Sequence, residues 1–163
     1  MEIRKILHKP ASLLILSILI ALLIAIIPIQ CQTGTEVGGM LGENTTWTLE
    51  NSPYSLTGNM LVDNGVTLTI DAGVIVNLND YYIMVNGTLR AQGTEVDQIQ
   101  FNNGDITFTQ YSNSWNESLG SGCILENSVL SSTIGVQAPV KINNITSFIC
   151  TTSSVNKTGI KTS

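Results

Sequence analysis

The chain has 163 residues, 43% of them hydrophobic but only 12% charged, with a mean hydropathy of +0.25 and a formal net charge of −5. Those averages mix two unlike pieces: Ala11–Ile29 holds 16 apolar residues in 19, and without it the mean hydropathy drops to about −0.1. After residue 33 there are 11 acidic residues against four basic ones (Arg90, Lys141, Lys157 and Lys161), which excludes a multi-span membrane protein, a nucleic-acid binder and a coiled coil.

Residues 1–33 read as an address. Arg4, Lys5, His8 and Lys9 form a basic leader, and the uncharged run to Ile29 follows. A basic flank keeps the amino end cytoplasmic and sends the rest across the membrane. The run is long enough for a spanning helix of roughly 17–25 residues and overlong for a signal-peptide core. The expectation is one N-terminal hydrophobic helix, either a signal peptide or a membrane anchor, with the membrane as its partner. Cys31 follows Gln30 where a lipid-attachment site requires a small residue, so lipidation is a weaker reading. Either way the remainder is expected outside the cytoplasm, at the cell surface.

Beyond Thr33 the chain is rich in Thr, Asn, Ser and Gly and shows no helical periodicity. Residues 34–60 are read as a cap and lead-in strand, with Trp47 and Tyr54 closing the amino end. Short alternating runs then recur. Val66-Thr67-Leu68-Thr69-Ile70 ends at Asp71-Ala72-Gly73, and Val74-Ile75-Val76-Asn77-Leu78 ends at Asn79-Asp80. Tyr82–Val85, Thr88–Ala91, Ile99–Phe101 and Ile106–Phe108 follow, separated by Asn-Gly, Gln-Gly and Asn-Asn-Gly. Asn64-Gly65 returns as Asn86-Gly87 and Gly73 as Gly93, and Glu126-Asn127-Ser128-Val129 has a looser echo in Ile142-Asn143-Asn144-Ile145.

A repeat near twenty residues, built of short strands and turns, predicts an all-β solenoid. Val66, Leu68, Ile70, Val74, Val76 and Leu78 would stack inward, and Thr67, Thr69 and Asn77 outward. An antiparallel sandwich also uses such strands, but its turns are more widely spaced. About five rungs are expected, counting residues 45–155 at about 22 each, with the rung domain read as 61–155 and an uncapped tail at 156–163.

The stretch Pro53–Phe101, with Gly65-Val66-Thr67-Leu68-Thr69-Ile70, Ala72-Gly73-Val74 and Val85-Asn86-Gly87-Thr88-Leu89, resembles the opening rungs of secreted right-handed parallel β-helix proteins of bacterial and archaeal surfaces. Cys123–Ile149 is similar to their later rungs. The resemblance implies the pectate-lyase-like fold but carries little about chemistry. Such proteins usually have more rungs, so the expectation is a truncated product, or a module that meets another β-helix chain at its open last rung.

No catalytic site emerges, and none is expected. The only histidine, His8, lies in the leader, which removes triad chemistry and histidine-ligated metals from the exported part. Asp63, Asp71 and Asp80 at successive turns are candidates for a calcium site or a glycosidase pair, but solvated turn residues fit them better. The same applies to Glu95 and Asp97, and Arg90 is expected to point outward into solvent. No cofactor is implied.

Cys123 and Cys150 are 27 residues apart and are candidates either for a disulfide or for two stacked interior thiols. Tyr111 and Trp115, in a polar loop over residues 110–122, are candidates for stacking on sugars. Asn44, Asn86, Asn116, Asn144 and Asn156 satisfy the N-glycosylation motif. The expected function is a structural or adhesive surface module. The alternative is a carbohydrate-binding or polysaccharide-active β-helix, with cell-envelope polysaccharide as the partner.

Overall fold

The computed structural model of the chain describes residues 34–147 and 160–161. The hydrophobic leader, Cys150, Asn156 and most of the tail lie outside the described residues.

Among the described residues eleven strands are formed: β1 (Thr35–Leu41), β2 (Thr45–Trp47), β3 (Tyr54–Val62), β4 (Thr67–Ile70), β5 (Ile75–Asn77), β6 (Tyr82–Val85), β7 (Thr88–Gln92), β8 (Ile99–Phe108), β9 (Ile124–Val136), β10 (Lys141–Ser147) and β11 (Ile160–Lys161). Every pairing between them is parallel. That decides against the sandwich, whose hairpins would pair antiparallel.

The pairing separates into three faces. Face I stacks β2, β4, β7, the start of β9, the start of β10 and β11. Face II stacks the first halves of β1 and β3, then β5, the first half of β8, the middle of β9 and the end of β10. Face III stacks the second halves of β1 and β3, then β6, the end of β8 and the end of β9. The chain visits the faces in the order I, II, III and returns to I one layer further on. This is a parallel β-helix-like solenoid.

The inward residues are those the alternation predicts. Val66, Leu68, Ile70, Val74, Val76 and Leu78 are all buried. On face I the register runs Trp47–Ile70–Ala91–Leu125–Ile142. On face II it runs Tyr54–Val76–Phe101–Leu130, and on face III Val62–Val85–Phe108–Val136. Each apolar side chain is therefore sandwiched between equivalents one strand spacing above and below, and the ladders make one continuous core. At the amino end the rings of Trp47 and Tyr54 stack at 4.7 Å, and the Tyr54 hydroxyl accepts a hydrogen bond from the backbone of Thr48 at 2.9 Å.

The structure departs from the sequence reading in two ways. Several strands are much longer than the short runs read from the sequence; β9 runs for 13 residues and serves all three faces. At the corner between faces I and II it stays paired because the turn is made by one residue, Asn127, in the left-handed region (φ 47°). Asparagine tolerates that conformation better than any other residue with a Cβ except aspartate. The second departure is a one-residue shift in the late echo. Asn143 pairs with Glu126, so Asn144 (φ 49°) stacks over Asn127 and the two turn the same corner. The Asn144 side-chain amide donates to the Asn127 side-chain oxygen, and Asn127 Nδ2 donates to the Gly93 carbonyl at 2.9 Å.

Candidate functional site

The coil period is uneven, and its unevenness positions the site. On face I, Thr67 pairs with Thr88, 21 residues later, but Arg90 pairs with Ile124, 34 residues later. The surplus forms the loop of residues 109–122 at the corner between faces III and I.

Backbone and side-chain bonds fasten that loop down. Ser112 Oγ donates to the Val85 carbonyl at 2.6 Å, and the Asn113 backbone N–H donates to the Gly87 carbonyl at 2.9 Å. Asn113 Nδ2 donates to Thr88 Oγ1 at 2.6 Å, and the Trp115 N–H donates to the Pro139 carbonyl at 2.8 Å. The last bond ties the loop to the following coil and lays Trp115 beside face I. Its ring lies 5.0 Å from the Lys141 ammonium, a cation–π distance, and its indole N–H donates to the Glu117 carboxylate.

Two lines of side chains run along the outside of face I next to this tryptophan. Alternation sends Leu89, Ala91, Leu125 and Ile142 inward, so Arg90, Gln92, Glu126, Lys141 and Asn143 lie on the opposite side of the sheet. Arg90, Ile124 and Lys141 share one register line, and the long stems of the two cations flank Ile124, which is buried. Gln92, Glu126 and Asn143 share the next. Arg90 Nη2 donates to Gln92 Oε1 at 3.0 Å, Gln92 Nε2 to Glu126 Oε2 at 3.4 Å, and Asn143 Nδ2 to Glu126 Oε1 at 2.8 Å. One carboxylate thus joins three successive coils. In an acidic domain, Arg90 and Lys141 both fall on this face, and Lys161 pairs in register with Asn143. The arrangement gathers two cations, a carboxylate, two amides and a tryptophan along one face.

The other predicted residues are dispersed. Asp63 follows β3 at the III–I corner, Asp71 follows β4 at the I–II corner, and Asp80 (φ 64°) precedes β6 at the II–III corner. Three different corners do not assemble one site. Glu95 and Asp97 lie in the loop after β7, where the Asp97 N–H donates to Thr94 Oγ1 at 2.8 Å. Among the described residues no group of three histidine, cysteine or acidic side chains is placed to hold a metal ion. Arg90 is half-buried and hydrogen-bonded rather than free in solvent.

Tyr111 is 64% exposed, whereas Trp115 is half-buried under its contact with Lys141. Cys123 is fully buried at the start of the fourth layer of face I. Its thiol approaches the Gly87 carbonyl at 3.6 Å, and desolvation pushes its pKa above the ordinary value. Val140 precedes the Lys141–Ile124 pair and so takes the register position over Cys123 in the next coil. The proposed partner, Cys150, lies outside the described residues.

Gln92, Glu126, Lys141 and Asn143 were not singled out from the sequence. The 34-residue step hides their alignment, and only the strand register brings them together.

No family model matches the chain, and no curated protein or solved structure matches it either. The fold description therefore rests on the register and the core ladders.

Proposed function

We propose that the chain is an exported cell-surface module with a structural or adhesive role, a stack of coils that holds its outer faces clear of the membrane. The observation that carries this reading is the register, which runs from Thr35 through β10 to Lys161 and, among the described residues, encloses a continuous core of stacked apolar side chains. Such an interior supplies rigidity and does no chemistry. The coil is right-handed in this reading, because parallel crossover connections are right-handed in about 98% of cases. The basic leader and the apolar run supply the export, and catalysis has no part in the reading. The resemblance to pectate-lyase-like surface proteins supports the same assignment.

Cells expressing the full chain provide the test. Protease applied outside intact cells should remove the folded domain, whereas a chain that stays protected in the cytosol refutes export.

A second reading is supported by Trp115, Arg90 and Lys141 on one face: the module binds an acidic polysaccharide along face I. Native gels cast with polygalacturonate should retard the protein, and neutral dextran should not. Arg90→Ala with Lys141→Ala should abolish the retardation, as should about 0.5 M salt, through screening. Equal retardation of that double variant sinks the binding reading and leaves the structural one standing.

A further inference from the structure

Four of the five sequons fall among the described residues, and as sequence motifs they are equivalent. Their surroundings are not. Asn44 lies in the bend before β2, and both it and Thr46, the hydroxyl residue of its motif, are exposed. The Asn44 Oδ1 accepts from the Thr67 backbone N–H at 2.8 Å, so this bond engages the oxygen of the amide and not its nitrogen. Asn116 opens the tip of the 109–122 loop. Asn116, Glu117 and Ser118 are all exposed, and Asn116 and Ser121 form an antiparallel bridge. Here too Oδ1 is engaged, accepting from the Leu119 N–H at 3.1 Å. Both asparagines are exposed and are held through their oxygen.

Asn86 and Asn144 differ from these two, each in its own way. Asn86 is also held by its oxygen, which accepts from Thr109 Oγ1 at 2.7 Å, and burial sets it apart. Asn86 is half-buried, and Gly87 and Thr88, which complete its motif, are buried. The Thr88 hydroxyl is occupied by Asn113 Nδ2 at 2.6 Å. A Cβ added at Gly87 would meet the Asp63 and Val66 carbonyl oxygens at 2.2 Å, so the backbone there has no room to open. At Asn144 the nitrogen itself is committed, donating to Asn127 in the corner ladder. A bulky substituent on that nitrogen would replace one of its two hydrogens and wedge the stacked coils apart.

The structure assigns Asn44 and Asn116 as the acceptors of N-linked oligosaccharide in the folded protein, and excludes Asn86 and Asn144. The donor class is a lipid-phosphate-linked oligosaccharide. The amide nitrogen attacks the anomeric carbon and a C–N bond forms. The C–O bond to phosphate breaks, and the lipid phosphate leaves with the electron pair while Nδ2 loses a proton. Both acceptors sit at the corner between faces III and I, so the glycans line one edge of the solenoid and leave the exposed parts of faces II and III bare. The inference rests on the export proposed above.

The full chain, secreted through its own leader from glycosylating cells, provides the test. The folded, protease-resistant fraction is deglycosylated by peptide-N-glycosidase in heavy-oxygen water, which labels each occupied asparagine for peptide mapping. Label is expected at Asn44 and Asn116, and N44Q and N116Q should each remove one glycan from the intact mass. Label at Asn86 or Asn144 matching that at Asn44 and Asn116 overturns the inference, as does a secreted protein bare at both. A chain retained in the cytosol instead refutes the export on which the inference depends.

Discussion

Asn127 performs two tasks at one corner, and substitutions separate them. Its backbone is left-handed at φ 47°, while its side chain donates to the Gly93 carbonyl and accepts from Asn144. Asn127→Gly keeps the conformation and loses both bonds. At about 1 kcal/mol per hydrogen bond and a further 0.5–1 kcal/mol for glycine's freedom in the unfolded chain, it should cost about 2–3 kcal/mol. Asn127→Ala loses the same bonds and adds the left-handed penalty of about 1–2 kcal/mol, for a total of about 3–4 kcal/mol.

Urea unfolding followed by the emission of buried Trp47 and by far-ultraviolet circular dichroism measures both variants. The alanine variant should be the less stable by about 1 kcal/mol at unchanged m-value. A double-mutant cycle of Asn127→Ala with Asn144→Ala should return a coupling of at least about 0.5 kcal/mol, because the two side chains bond directly. If the alanine variant equals or exceeds the glycine variant in stability, the corner is not held by asparagine's tolerance of this conformation.

Phe101 is fully buried between Val76 and Leu130 in the face II ladder, so Phe101→Ala should cost about 3–5 kcal/mol in the same assay. A loss below about 1 kcal/mol would mean that the ladder is not packed as described. Cys123 should resist alkylation at pH 8 in the native protein and react once unfolded, as read by mapping the modified peptide; prompt native labelling contradicts its burial. Its folded pKa is raised above the ordinary value of 9.0, so its contribution is complete below that value and is lost as pH rises beyond it. Cys123→Ala should therefore flatten the alkaline fall in stability, and an unchanged alkaline limb would refute the linkage.

Much of the fold was legible in local sequence because inward and outward positions alternate strictly with period two. Val66 through Leu78 could be assigned to the core from that alternation alone, and Asn64-Gly65 and Asn86-Gly87 could be read as equivalent corners. The long strands were less legible. Asn127 turns a corner without interrupting pairing, which nothing nearby distinguishes from a chain-reversing turn. The late echo was misaligned by one residue, because two asparagines are adjacent at 143 and 144 and only the register selects which one bends.

The outer cluster on face I was not legible. Arg90, Glu126 and Lys141 are scattered through 52 positions of sequence, and the loop of residues 109–122 destroys the period that would align them. Likewise, the spacing of Asp63, Asp71 and Asp80 left a cluster open as the weaker alternative to solvated turn residues, and a coil that turns three corners per layer sends them to three different edges.

The sequence by itself determined that the part after residue 33 is all-β, where most of its early turns fall and which side chains from Val66 to Leu78 enter the core, because those properties follow from alternation and turn chemistry within a few residues. Only the tertiary structure decided which coil lies on which, and hence that two cations, a tryptophan and a bridging carboxylate share one face. Parallel stacking pairs residues 17 to 34 positions apart, and the cross-coil hydrogen bonds and packing that choose each offset exist only once the layers are in contact.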